Sequence, residues 1–333
     1  MYKYRFHTGD NLFQIDENKQ RPIVENLLYE NDYTMLIAKE KVGKSILALQ
    51  LACSISSATP FLNLFKIPIA QRVWYFVTEG KDWDIKQRLI NMHMKVPINK
   101  DNLVLVCSSG FRFNSKLGMD TVQHLIANHR KELPKVIIID ALYMAIKGSL
   151  KDDQTVNDFT YCVRQFAEVC DAAVLIVHHS RRPAVFEGVQ TESYSDDDIY
   201  GSAFLKASVD HCFYMGDIQR TNRKFLKCET QRSGDILGNI ELVLVEPSPL
   251  YFEIVEQHSE YKQQIVKILS ERPSSVQYLI SETKLSKPTI YLVLKELDKF
   301  IDKKFGKPTI YSIKKPQATL EIIEEPKEGK SNV

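Results

Sequence analysis

Residues 33–45 read YTMLIAKEKVGKS and join a short apolar run to a glycine, a lysine and a serine. The run over residues 33–38 predicts a buried strand, and the pattern over residues 44–57 predicts a helix. A loop between a strand and a helix N-terminus points backbone N–H groups at one place, where they suit a phosphate group. We therefore predict a phosphate-binding loop here, against the alternative of a chance Gly-Lys-Ser that opens a helix.

The side chains of this loop have distinct expected contacts. Lys44 is suited to the β- and γ-oxygens of a nucleotide, and the Ser45 hydroxyl is suited to Mg²⁺. Ala38 stands where the usual pattern has glycine, which is harmless only if the φ of that residue is negative. The residues expected around the phosphates are Ala38, Lys39, Glu40, Lys41, Val42, Gly43, Lys44, Ser45 and Ile46.

Apolar runs alternate with longer amphipathic stretches up to about residue 178. The runs predict buried parallel strands over residues 33–38, 72–78, 103–107, 135–140 and 173–178. The stretches between them predict helices over residues 44–57, 83–93, 121–131 and 155–170. This alternation predicts an α/β fold, in which a mostly parallel sheet is flanked by helices.

Two of these strands end in a carboxylate. VIIID ends at Asp140, which would hold Mg²⁺ directly or through water, although many strands end in an aspartate that caps a helix. WYFVTE ends at Glu79, which could orient or deprotonate an attacking water, or lie on the surface before a turn. The carboxyl ends of parallel strands collect at one edge, so we expect Glu79, Asp140 and the loop to converge.

A third strand ends in two histidines. AVLIVHHSRR places His178 and His179 at the end of the run, followed by Arg181 and Arg182. One imidazole could sense the γ-phosphate, while the other fills a core position. A metal site is not expected, because adjacent strand residues point to opposite faces.

Composition restricts the class of protein. The 333 residues suffice for about two domains, and 44% hydrophobic and 26% charged residues are globular averages. Apolar runs are too short for a membrane span and the start has no leader-like core, so we expect a cytoplasmic protein. The six scattered cysteines contain no C-x-x-C pair, so we expect reduced core residues.

The chain changes character after residue 201. Hairpin strands are expected over residues 213–215, 224–230, 238–247 and 251–255, and a domain boundary near His258. Three short helices and a hairpin over residues 259–315 then predict a winged helix-turn-helix. The ATPase domain would span residues 1–258, with residues 1–33 leading in, and residues 316–333 would be a disordered tail.

The predicted winged helix carries the positive charge of the chain. Twelve lysines and arginines face six carboxylates over residues 259–315, a net +6 where the whole chain has +2. Ser286 and Pro288 fit the start of a recognition helix. The clustering fits contacts with duplex phosphates, although such domains also dock proteins. The lysines concerned are Lys284, Lys287, Lys295, Lys303, Lys304 and Lys307.

Together the segments AKEKVGKS, VWYFVTEG, VIIIDAL, VLIVHHSRR and YGSAFLKASVD resemble the RecA-like P-loop ATPases, specifically the plasmid RepA-type and related hexameric replicative helicases. The resemblance covers roughly residues 20–255. It implies that Glu79 is the catalytic base, that Asp140 serves Mg²⁺ with Ser45, and that His179 senses ATP, with His178 as its partner.

The resemblance also implies an arginine that reaches into the ATP site of the neighbouring subunit. DnaB-type helicases carry a Lys-x-Arg pair followed by glycine, and Thr230-Gln-Arg232-Ser-Gly234 stands in that place. Arg232 is therefore the candidate arginine finger, with Lys206 and Arg220 as competitors. Threonine replaces the lysine of the pair.

Two loops are expected to face a central channel. The segment over residues 180–200, with Glu187, Glu192 and Asp196–Asp198, predicts a mobile loop or a solvated lid. In the family this segment and residues 147–153 meet single-stranded DNA. The candidate phosphate contacts are Arg181, Arg182, Lys147 and Lys151.

The sequence therefore predicts an ATP-dependent motor on DNA, a RepA-like replicative helicase. Such a chain would assemble into a ring, a hexamer in the family, and would couple ATP hydrolysis with Mg²⁺ to translocation on single-stranded DNA. The winged helix would recruit duplex DNA or a replication protein. Two alternatives stay open, a recombinase-like repair ATPase and a nucleotide-switched DNA-binding regulator with little turnover.

Overall fold

The computed structural model describes most of the chain as two compact units, residues 1–255 and residues 256–333. The described residues are 8–9, 21–108, 110–180, 185–186, 203–218, 221–231, 239–255, 257–285, 287–298, 300–306 and 308–313. Several predicted residues lie outside these ranges, and the side chain of Lys206 is likewise not described. They are Arg181, Arg182, Glu187, Glu192, Asp196–Asp198, Arg220, Arg232, Ser286, Lys307 and the tail over residues 316–333.

One large sheet organises the first unit. Among the described residues its main path runs β12-β11-β10-β9-β3-β7-β6-β4-β5. Six neighbouring strands from β9 to β5 are parallel, and β10 to β12 continue antiparallel. The strands are β3 (Tyr33–Ala38), β4 (Val73–Val77), β5 (Leu103–Cys107), β6 (Val136–Asp140), β7 (Ala173–His179), β8 (Val185–Phe186), β9 (His211–Ile218), β10 (Arg223–Gln231), β11 (Ile240–Val245) and β12 (Tyr251–Ile254). The predicted α/β fold with a mostly parallel sheet is confirmed.

Helices cover both faces of this sheet, because alternate residues of each buried strand point to opposite sides. One core packs the sheet against α1 (Lys44–Ser57) and α2 (Asp82–His93). The other core packs it against α3 (Lys116–Asn128), α4 (Leu142–Ala145), α5 (Asp153–Cys170) and α6 (Ala203–Ala207). Tyr75 and Ala38 belong to the first core, on the side of α1.

Three local predictions need correction. Residues 22–29 are not merely a polar lead-in, since β1 (Pro22–Val24) and β2 (Leu28–Tyr29) pair antiparallel. The helix predicted over residues 121–131 is α3, which begins earlier because the Ser115 hydroxyl accepts a hydrogen bond from the Gly118 N–H at 3.0 Å.

The cysteines are the third correction. All six are free thiols, and Cys53, Cys170, Cys212 and Cys228 are buried as predicted. Cys107 is exposed at the end of the edge strand β5, and Cys162 is half-buried on α5. These two face outwards because an edge strand and an amphipathic helix each leave one side to solvent.

The last strand of the sheet is tied to the helix that follows the phosphate loop. Gln50 on α1 is buried, and its amide donates to the Phe252 carbonyl at 2.8 Å while its side-chain oxygen accepts from the Phe252 N–H at 2.6 Å. The Phe252 ring lies over Gly43, where an added Cβ would come within 2.7 Å of it. Strand β12 therefore supports the loop from below.

We expect Gln50→Leu to lower the free energy of unfolding by about 2 to 4 kcal/mol. The substitution keeps the volume but leaves one buried N–H and one buried carbonyl of Phe252 unpaired. Gln154→Leu, at an exposed position on α5, is the matched control. Chemical denaturation measures both variants, and equal stabilities would show that the tie to β12 contributes nothing.

The second unit is a small helical domain with its own sheet. It contains α7 (Gln257–Glu271), β13 (Ser274–Ser275), α8 (Val276–Thr283), α9 (Lys287–Glu296), β14 (Ile301–Lys304) and β15 (Ile310–Ile313). The three strands pair antiparallel in the order β13-β15-β14. Ile265, Leu279 and Ile290, one from each helix, are fully buried in its core.

In the part of the chain that the structure describes, no helix combines the length and the hydropathy that a membrane crossing requires. The described helices instead pack against the two sheets.

Candidate nucleotide site

The carboxyl ends of four parallel strands meet around the loop of residues 38–45. Ala38 at the end of β3 pairs in register with His179 on β7, and Val77 on β4 pairs with Asp140 on β6. Strand β7 lies between β3 and β6, so Asp140 reaches the loop from two strands away. The convergence expected at this edge is present.

The backbone of the loop has the shape that a phosphate group needs. Gly43 has φ 106° and precedes α1, and Lys41 has φ 64°. Ala38 is not among the residues with positive φ, because it is still paired inside the sheet with β7 and β9. Alanine in place of the usual glycine therefore imposes no strain.

Lys44 is buried at the first position of α1. Its Nζ donates to the Lys39 carbonyl at 2.8 Å and lies 3.4 Å from His179 Nδ1. Burial lowers the pKa of the ammonium, and the carboxylates of Asp140, Glu40 and Glu79 oppose that shift. The ammonium thus lies among three negative charges at the mouth of the loop.

Ser45 and Asp140 touch directly. The Ser45 hydroxyl donates to Asp140 Oδ1 at 3.0 Å, and the Tyr75 phenol donates to Asp140 Oδ2 at 2.6 Å. Burial raises the pKa of Asp140, while the hydrogen bonds from Tyr75 and Ser45, and then the charges of Lys44 and Arg88, lower it. Carboxylate and hydroxyl oxygens at this spacing are ligands that Mg²⁺ accepts.

The two histidines separate onto different faces of β7. His179 lies on the loop side, where burial and then the Lys44 ammonium lower its pKa, so that the ring is neutral near pH 7. Its Nε2 is buried without a hydrogen-bond partner in the protein. His178 is fully buried on the opposite face, in register with Ile37. The structure therefore does not bring His178 to the nucleotide loop.

Glu79 follows β4 by two residues and is exposed at the same edge. Its charge acts on both Lys44 and His179, and it lies beside the hydroxyl of Tyr143. Burial and Glu79 together raise the pKa of Tyr143 to about 12. The Tyr143 ring also packs edge-on against His179, with 5.2 Å between ring centroids.

Not every residue of the predicted loop faces the site. Ile46 is half-buried and packs against the core, so its side chain faces away from the phosphates. Val42 is buried, whereas Lys39, Glu40 and Lys41 are exposed.

Sequence reasoning missed two tyrosines and a threonine. Tyr75 is the polar residue of the apolar run VWYFV, and Tyr143 follows Asp140 by three positions. Thr78 donates from its hydroxyl to the Ala141 carbonyl at 2.9 Å and from its N–H to the Asp140 carbonyl at 2.8 Å. A phenol inside a buried strand was the available signal, since such a group needs a partner.

A magnesium nucleotide fits these residues on the observations above. A buried ammonium, a left-handed glycine before a helix and an unpartnered buried imidazole nitrogen surround the loop. The Ser45–Asp140 pair adds two oxygen ligands for the cation.

Comparisons with known proteins agree with this geometry. A solved ATPase domain of another protein is similar with a TM-score of 0.51 and 16% identity, over 68% of this chain and 86% of that one. A DnaB-like replicative helicase, solved for its interactions with primase, has a TM-score of 0.50 and 14% identity, over 67% of this chain and 59% of its own length. A KaiC-like protein, PH0186 from Pyrococcus horikoshii OT3, has a TM-score of 0.45 and 8% identity, over 70% and 93%. No curated protein matches the sequence.

The first two structures share the RecA-like fold of a P-loop core with this chain. A family model described as an AAA domain matches residues 5–185, which is more than half of the 333 residues. That range contains the phosphate loop, Glu79, Asp140 and His179. The chain therefore belongs to the AAA domain family, with a P-loop ATPase fold.

Proposed function

We propose that this protein is an ATP-driven motor on DNA, a RepA-like replicative helicase that works as a ring. The observation that carries the ATPase part is the cluster at the carboxyl edge of the sheet, where Lys44 lies 3.4 Å from His179 and Ser45 lies 3.0 Å from Asp140. The DNA part rests on the family resemblance of these motifs and on the basic second unit. A solved DnaB-like replicative helicase with the same fold supports it.

Each residue of the cluster has a chemical task in ATP hydrolysis. Bound Mg·ATP supplies the electrophilic γ-phosphoryl group. Lys44 neutralises charge on the β- and γ-oxygens, and Ser45 and Asp140 hold the cation. Glu79 takes a proton from the attacking water.

Lys44 repels a proton on His179, so the neutral imidazole has its buried Nε2 available for a hydrogen bond from or to the site. His179 is thus suited to sense the γ-phosphate and to pass its presence to the segment after β7, as the family resemblance implies. A second subunit would supply Arg232 as an arginine finger, with Lys206 and Arg220 as the competing candidates.

Single-stranded DNA would pass through the channel of the ring along the loop after α4. Lys147 and Lys151 are exposed there. Asn114 holds the backbone of Lys147 at both ends, accepting from its N–H at 2.6 Å and donating to its carbonyl at 2.9 Å. A basic side chain on a pinned backbone is suited to a phosphate contact that must keep its position. Arg181 and Arg182 would add to this surface.

Steady-state ATP hydrolysis with and without single-stranded DNA tests the motor, with the solution mass recorded at the same concentration. Strong stimulation by single strands in an assembly of ring size is the expected result. Nucleotide binding with negligible hydrolysis under both conditions would contradict it and favour the DNA-binding regulator. Stimulation in an open filament would favour the recombinase-like ATPase.

We propose that the second unit is a winged helix-turn-helix whose α9 contacts duplex DNA. Lys287, Tyr291 and Lys295 recur every four residues on α9 and are all exposed, whereas Ile290, Val293 and Leu294 are buried. One face of the helix therefore presents two ammonium groups and a phenol. Lys303 and Lys304 are exposed on β14, and the Lys303 ammonium lies over the exposed ring of Phe305.

Exchange of both α9 lysines for glutamate is expected to weaken duplex binding. Each lost phosphate contact lowers the slope of log K against log salt by about 0.9, so Lys287→Glu with Lys295→Glu should lower it by about 2. Lys267→Glu, at an exposed position on α7, is the matched control. Fluorescence anisotropy across a salt series measures the slopes, and an unchanged slope in the double variant would contradict the DNA contact.

A further inference from the structure

The buried tyrosine of β4 makes a contact that ATP hydrolysis as proposed above does not use. Tyr75 has no solvent exposure, and its hydroxyl donates to Asp140 Oδ2 at 2.6 Å. A phenol that donates to a carboxylate at this distance forms a strong, charge-assisted hydrogen bond. The same hydroxyl lies 3.4 Å from the Ser45 carbonyl. Tyr75 therefore touches both residues that are expected to hold the cation.

The two oxygens of Asp140 have different partners. Oδ1 accepts from Ser45 at 3.0 Å and faces the start of α1, whereas Oδ2 is taken by Tyr75. Rotation of the carboxylate would break the Tyr75 contact inside a fully buried environment, where an unpaired polar atom is costly. The phenol thus fixes which oxygen is presented to the Ser45 hydroxyl.

We propose that Tyr75 is a positioning residue of the magnesium site, which holds Asp140 Oδ2 so that Oδ1 and the Ser45 hydroxyl are presented to the cation as a pair. The inference rests on the proposed function, since it takes Ser45 and Asp140 as the residues that serve Mg²⁺. Groups that orient a metal ligand from behind change metal affinity about 10- to 100-fold when they are removed.

A merely structural role is the competing explanation, because a buried phenol needs some acceptor. The two explanations differ in what Tyr75→Phe changes. A structural role predicts lower stability with unchanged cation dependence. A positioning role predicts altered cation dependence while nucleotide binding without the cation is unchanged.

Binding of a fluorescent ADP analogue to the full chain separates them. The analogue is titrated in EDTA and then at increasing Mg²⁺, for the unaltered protein, Tyr75→Phe and Tyr33→Phe. Tyr33 is the matched control, because it is buried in the neighbouring β3 at the opposite edge of the sheet, against Arg164. We expect equal affinities in EDTA, and for Tyr75→Phe alone about a tenfold rise in the Mg²⁺ concentration that gives half-maximal enhancement.

Identical Mg²⁺ curves for all three proteins would overturn the role of Tyr75 and leave the proposed function intact. Failure of the unaltered protein to bind the analogue at any Mg²⁺ concentration would overturn the proposed function and this inference together. Tyr75→Met, which also lacks the phenol, must reproduce the shift. A normal Mg²⁺ curve for that variant would overturn the inference even if Tyr75→Phe did not fold.

Discussion

Lys44→Ala is expected to lower ATP hydrolysis at least about 100-fold, to the background of the assay. The ammonium is the buried cation that lies at the loop, within 2.8 Å of the Lys39 carbonyl and 3.4 Å of His179. Removal of one preorganised donor to developing charge costs about 10² to 10³ in rate. Its loss also leaves Asp140, Glu40 and Glu79 without the positive charge that they surround, so nucleotide affinity should fall as well.

Phosphate release under saturating ATP measures this effect, and a fluorescent nucleotide measures the affinity. Lys86→Ala, at an exposed position on α2, is the matched control and should hydrolyse ATP normally. Hydrolysis by Lys44→Ala within a few-fold of the unaltered protein would place the nucleotide elsewhere.

Glu79→Gln is the second substitution with a large expected effect. The amide keeps the size of the side chain but cannot take a proton from water, so turnover should fall about 10²- to 10⁴-fold. Binding of Mg·ATP should persist, because the residues proposed to hold it, Lys44, Ser45 and Asp140, are unchanged. The variant should therefore trap ATP without hydrolysing it.

A single-turnover experiment with radiolabelled ATP distinguishes slow chemistry from weak binding. Glu168→Gln, an exposed carboxylate on α5, should behave like the unaltered protein. Near-normal turnover in Glu79→Gln would remove this residue from the base role. Tyr143, which lies beside Glu79 and packs on His179, would then be the next side chain to replace.

Local patterns were sufficient for the elements of the core. Continuous apolar runs are typical of strands buried on both faces, and five of the predicted runs coincide with β3 to β7 to within a residue or so. Helix α3 was displaced because its start depends on Ser115, a cap that lies before the amphipathic pattern begins. The pairing of β1 with β2 was missed because strands of two and three residues carry no periodicity.

The site divides in the same way. Gly-Lys-Ser after a strand, and acidic or histidine residues at strand ends, are visible in one dimension, since parallel strands collect their carboxyl ends at one edge. Which of two adjacent histidines faces the loop depends on register, and only the pairing of His179 with Ala38 decides it. The harmlessness of Ala38 likewise depends on its place inside the sheet.

The sequence by itself determined the α/β class, the phosphate loop and the strand-end residues, because these follow from hydrophobic periodicity and from groups adjacent along the chain. Only the tertiary structure decided that β7 separates β3 from β6, that Gln50 ties α1 to β12, and that Tyr75 holds Asp140. Those two side-chain contacts join residues 65 or more positions apart in the chain. They arise from strand order and side-chain packing, which no local pattern encodes.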